Sequence, residues 1–229
     1  MFRKILGALG VGLAAGGAAA APSFYTPYAQ GQVNQIYNLL FCDDPALYAT
    51  DPATANTPLW RTLRGEPLDV PGLRRIAEDA GNEGRVRALA YHRLRSAGER
   101  VAPRHLLGVI VEVPMPGGLD VLAAFSDGGV RYLNHSGKMV FVDAAGSPLQ
   151  AMAAQLLSSA DPVVARLGPW DKGRLPPPAG GNVRISFIVS DGLYFGEGPF
   201  EAMQRDPLAG ALIEQASRLL QKVVEVGQR

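Results

Sequence analysis

The chain has 229 residues, 47% of them hydrophobic and 19% charged, with a formal net charge of +1. That is enough apolar material for one packed core and too little charge for a disordered chain. The scattered basic residues give no reason to expect a nucleic-acid partner. The single cysteine, Cys42, excludes an intramolecular disulfide and the common cysteine-based zinc sites.

Met1 to Lys4 is a short basic start, Ile5 to Ala21 is uncharged and apolar, and Ala18 to Ala21 supplies small residues before Pro22. This is the order of a secretory signal with cleavage near Ala20 or Ala21. It predicts a periplasmic or secreted protein with no membrane contact beyond the signal. A retained membrane anchor and a cytoplasmic protein with a misassigned start are the alternatives. The expected organisation is a signal over 1–21, an arm and loop region over 22–68 and an α+β domain over 69–229, with 22–229 forming one globular unit.

Ser23 to Gln32 is aromatic, polar and proline-broken, and reads as an arm lying on the domain. Val33 to Tyr48 carries Ile36, Leu39, Leu40 and Phe41 at spacings that fit a helix face or a short strand. Asp43-Asp44-Pro45 reads as a cap and proline start for a turn over 46–49, and 51–58 as a loop. Asp69 is placed to cap a helix over 70–79, and Asn82 a second over 83–96 with Gly98 just past its end. The arginines of that second helix are expected on a solvated face rather than against nucleic acid.

The period then changes. Strands are predicted over 106–113, 119–125, 130–133 and 138–142, joined by loops too short for parallel crossovers. A helix over 149–166 and an irregular loop over 168–181 follow. A fifth strand covers 182–189, a short sixth 193–195, and a final helix runs from about Asp206 to Val226. The order αα-ββββ-α-ββ-α predicts an α+β fold: an antiparallel meander sheet of about six strands with helices on one face.

Motifs for nucleotides, metals and nucleophile elbows are missing, so no cofactor and no metal site is expected. Asn134 and His135 sit with Ser136 and Lys138 in one hairpin turn, where turn chemistry competes with a general-base role for His135. Tyr194, Phe195 and Glu197 lie in the unusual stretch 190–200, which reads as a small-molecule or partner site or as core strand plus connection. If it is a site, Glu197→Ala leaves stability nearly unchanged. Trp170 is a candidate binding lip, and Glu112 a candidate buried carboxylate. Cys42 reads as a buried, inert thiol. The chain as a whole reads as a non-enzymatic envelope domain that binds a protein or small molecule. The alternatives are a hydrolase using His135 with Asp191 or Glu197, and a cytoplasmic scaffold or regulatory domain.

Overall fold

The computed structural model describes residues 24–48, 56–143, 146–147 and 149–228. The expected signal over 1–21 lies outside the described residues, as do 49–55. Among the described residues are seven α-helices: α1 (Gly31–Leu39), α2 (Pro58–Arg64), α3 (Val70–Glu78), α4 (Gly84–Ser96), α5 (Leu149–Val164), α6 (Phe200–Arg205) and α7 (Pro207–Gly227). A 3₁₀ turn covers Pro45–Tyr48. The strands are β1 (Leu106–Met115), β2 (Gly118–Phe125), β3 (Val130–Leu133), β4 (Met139–Val142), β5 (Asn182–Val189) and β6 (Gly192–Pro199). They form one antiparallel sheet in the order β4-β3-β2-β1-β5-β6.

The α+β class and the meander-like sheet are as the sequence predicts. The helix layer needs correcting, because helices cover both faces of the sheet. Val109 and Val111 of β1, Leu122 of β2 and Ile185 and Phe187 of β5 pack against α5 and α7. Their neighbours Ile110, Val121, Ala123 and Ile188 point the other way, into a second core with α1, α3 and α4. The reason is visible in β1. The run Leu106 to Val113 lacks clean alternation, and continuous apolarity is what a strand buried on two faces requires.

Capping chemistry fixes the helix ends. Asp69 Oδ1 accepts from the Gly72 amide at 2.9 Å, and Asp206 Oδ1 accepts from Leu208 and Ala209 at 2.9 Å each. Gly98, at φ +77°, ends α4: its amide donates to Arg95 O and that of Glu99 to Leu94 O. That is the paired bond set of a left-handed helix stop. Asn82 does not cap α4; its amide group donates to Ile76 O at 3.1 Å, near the end of α3. The start of α4 is held instead by Asp127 of the β2–β3 turn, whose Oδ1 accepts from Gly84 N at 3.1 Å.

The arginines of α4 are fasteners rather than a solvated face. Arg87 donates to Ala77 O, Arg93 to Gly65 O and Glu66, and Arg95 to Ser190 O. His92 lies among them. Burial first, and then Arg95, lower its pKa from 6.5 to about 4. The unfolded chain therefore binds a proton that the folded chain refuses between those values. Stability is fully present above pH 6.5 and is lost as pH falls toward 4. Allowing for partial exposure, that loss is about 2–3 kcal/mol. Urea midpoints at pH 7 and pH 4.5 should differ less in His92→Gln than in the parent; an unchanged difference would remove His92 from the account.

Candidate functional site

The arm before α1 is fastened by two asparagines one helical turn apart. Asn34 bonds both the amide and the carbonyl of Tyr28, at 2.9 and 2.8 Å. Asn38 does the same to Tyr25, at 3.0 and 2.8 Å. Each side-chain amide thus stands in for a strand partner and satisfies backbone groups that burial would otherwise leave unpaired. The hydroxyl of Tyr28 donates to Leu119 O at 2.9 Å, across the start of β2.

Under this arm lies a sealed layer of charge. Glu112 is 0% exposed. Its Oε1 accepts from the Tyr37 hydroxyl at 2.7 Å, its Oε2 stands 4.0 Å from Arg184 Nη1, and Oε2 makes no hydrogen bond. Burial pushes the Glu112 carboxyl up, against the pull of Tyr37, Arg184 and Arg174. Arg174 lies over the ring of Phe41 at 4.1 Å and near those of Tyr25 and Tyr37. Its Nε donates to Asp43 Oδ2 at 2.9 Å and its Nη2 to Asn38 Oδ1 at 2.9 Å. Burial raises the Asp43 carboxyl more than Arg174 lowers it. This layer joins the 168–181 loop to α1 and the sheet, and its closure to solvent marks it as a fastening rather than a reaction centre.

The stretch 190–200 is strand almost throughout. β6 runs on to Pro199, with Gly196 opposite Ile185 and Gly198 opposite Val183. The connection expected over 196–198 is therefore absent. The strongly β-forming β5 templates its glycine-rich neighbour. Tyr194 is 1% exposed in the core beneath α5 and α7, and its hydroxyl donates to Asp191 Oδ2 at 3.1 Å. Phe195 and Glu197 face the other side. Glu197 Oε2 takes both Arg184 Nε (2.8 Å) and Nη2 (2.6 Å), and Oε1 takes Asn182 Nδ2 at 3.1 Å. Trp170 packs edge-on against Phe195 at 5.2 Å, and its backbone amide donates to Leu193 O at 2.8 Å. Its indole N–H donates to Gly173 O at 3.0 Å. Trp170, Phe195 and Glu197 are thus neighbours along β6, while Tyr194 belongs to the opposite face.

Asn134 and His135 stand elsewhere, in the β3–β4 turn. Three strands separate β3 from β6, so at about 4.8 Å per strand step the turn is on the order of 19 Å from Glu197. Asp191 lies at the other end of the strands. Neither carboxylate reaches His135. Its partner is Asp120 at the start of β2, whose Oδ1 accepts from His135 Nδ1 at 2.9 Å and from the His135 amide at 2.8 Å. Asn134 Nδ2 reaches the same oxygen at 3.4 Å and donates to the Tyr132 hydroxyl at 3.0 Å. Asn134 Oδ1 also accepts from Ser136 N at 2.9 Å, the local bond of an Asx turn.

This cluster borders a cleft. Val111, Val113, Leu122, Val183, Phe200 and Leu220 supply apolar walls between the sheet and α7, while Asp120, Tyr132 and Ser217 supply polar atoms. About 60 Å³ is open to the centres of water-sized molecules, several times what one water needs. Tyr132 also lines a second, more open depression with Asn134, Ser136, Lys138 and Val224. The two depressions flank one polar seam, Asp120–Tyr132–Asn134. Asp120 carried no signal along the chain. It becomes visible only through the hairpin register, which brings it beside a residue fifteen positions away.

Other reactive groups are occupied. Burial pushes the Cys42 thiol up to about 12, and its sulfur contacts Leu40 O and the Tyr48 hydroxyl. Among the described residues no group of three or more His, Cys, Asp or Glu side chains could hold a metal ion. No helix among them is long and apolar enough to cross a membrane. No family model matches the chain, and no curated protein matches it either.

Proposed function

We propose that the chain is a binding domain of the cell envelope, and that its ligand is a small amphipathic molecule held between the sheet and α7. The observation that carries this is an open apolar cleft with one polar wall. An apolar body fits the slot, and a hydrogen-bonding head meets Asp120, Tyr132 and Asn134, the usual division of labour in ligand sites. The signal-like order of residues 1–21 supports the envelope assignment. Intact-mass measurement of the native N-terminus tests it, and an uncut cytoplasmic species would overturn it in favour of a scaffold or regulatory role.

The cleft is tested with the neutral fluorophore N-phenyl-1-naphthylamine. Its emission should rise on titration with the native protein, and the rise should fall at least several-fold in Ala216→Leu, because Ala216 of α7 also lines the slot and a larger side chain there narrows it. A comparable rise with both proteins, or none with either, would sink the proposal. Thermal melts of the variant establish that it is folded.

The Asp120–His135 bond favours one second reading, a hydrolytic one in which Asp120 orients His135 through Nδ1 and leaves Nε2 for a water molecule. It runs through Asp120 rather than through Asp191 or Glu197. Hydrolysis of an activated ester that survives unchanged in His135→Gln would dismiss it.

A further inference from the structure

The two edges of the sheet are unlike. At β6 the Trp170 amide bonds Leu193 and the Trp170 ring covers Phe195. At β4 no strand lies outside among the described residues. Asn134 N donates to Lys138 O at 2.8 Å, which fixes the bonding phase of the β3–β4 ladder. Val140 and Val142 therefore turn their backbone groups inward to β3, opposite Tyr132 and Val130. Those of Met139 and Phe141 point outward. The same two residues carry the exposed apolar side chains of this edge, Met139 at 38% and Phe141 at 49%. Val140 and Val142 pack into the core under α5 and α7. On the opposite face the N-terminal helices bury Leu133 of β3 but leave Met139 and Phe141 bare.

We propose that β4 is a self-association edge. Two copies of the chain pair through it, antiparallel, about a two-fold axis normal to the sheet, with Met139 of one copy opposite the partner's Phe141. A two-fold of this kind keeps like faces together, so outward-bonding residues must meet outward-bonding residues. Of the registers that do so, the two nearest the middle of this short strand, centred on residues 140 and 141, bury the most of it. Pairing Phe141 with the partner's Phe141 leaves Met139 opposite the charged Asp143 of the partner subunit. Pairing Met139 with the partner's Phe141 instead places both apolar side chains against apolar partners, twice over by symmetry, and makes two sulfur–aromatic contacts. The strand is thus complementary to itself in one register. A net charge of +1 opposes the approach of two copies very little. Arg131, whose guanidinium lies 5.6 Å from the Phe141 ring and bonds Asp143, holds the ring in place at the edge.

The full chain carries one buried cysteine, which leaves surface cysteine substitutions readable. In the proposed register, the α-carbons of position 139 and the partner's position 141 lie about 5.5 Å apart, within disulfide range. Positions 139 and 139, or 141 and 141, lie beyond the roughly 7 Å limit. Under mild oxidation, mixed Met139→Cys and Phe141→Cys chains should form disulfide-linked dimer several-fold above either variant alone, with a urea-unfolded mixture as background. Efficient linkage of Phe141→Cys by itself would overturn the register. Linkage no better than the unfolded background, together with sedimentation of the unmodified chain as a monomer at all concentrations, would overturn the pairing.

Discussion

Replacing Arg174 with methionine is expected to lower stability by about 3–5 kcal/mol, the usual cost of removing one partner from a buried ion pair. The guanidinium meets three aromatic faces, one carboxylate and one amide. Methionine fills much of the volume but strands the Asp43 carboxylate in a site that already disfavours its charge. The carboxyl should then titrate higher still. The raised folded-state pKa adds stability below the unfolded value, which is lost as pH rises through the folded one. Arg174→Met should therefore be weakest at high pH and recover on acidification. Adding Asp43→Asn should restore part of the loss, because no charge is then left buried alone. Urea midpoints for the four chains of this cycle measure it, and additive losses from the two substitutions would show that the pair is not coupled.

Tyr194→Ala should cost a similar amount, about 3–5 kcal/mol, as for other large aromatic side chains removed from a core. Tyr194→Phe keeps the ring and loses the hydroxyl's contacts with Asp191, at 3.1 Å, and Arg104, each worth about 0.5–1.5 kcal/mol. A wide gap between the two melting temperatures is the expected result; a small loss for alanine would contradict the packing described. Glu197→Ala is no longer expected to leave stability unchanged. It removes the acceptor of two Arg184 nitrogens at a buried position, and the remaining carboxylate, Glu112, is 4.0 Å away.

Short-range chemistry made most of the fold legible. Alternation in Val183, Ile185, Phe187 and Val189 gives β5 its observed bounds, and the caps at Asp69 and Asp206 and the stop at Gly98 work locally. Glycines 196 and 198 misread as a connection because strand propensity ignores the neighbour that templates the strand. Helix α2 was hidden because Thr57-Pro58, its start, also reads as the end of a loop. The second helix layer had one clue, the unbroken apolarity of β1, which one buried face would not need.

The site was less legible for a plain physical reason. Asp120 meets His135 through hairpin register, and Asp43 meets Arg174 across 131 residues. No periodicity or propensity encodes such meetings. His135 stands out in the sequence for its neighbours in the turn, yet its partner Asp120 lies on another strand. Glu197, read as the polar contact of a site, is half of a fastening with Arg184.

The asparagine clasp on the arm sets how much slack the chain has at its start. Tyr25 is already tied down by Asn38, so only Pro22, Ser23 and Phe24 separate it from Ala21. The four steps from Ala21 to Tyr25 span about 14 Å at full extension. A chain cut at Ala21 would begin almost at its folded body, with little tail for proteases to trim.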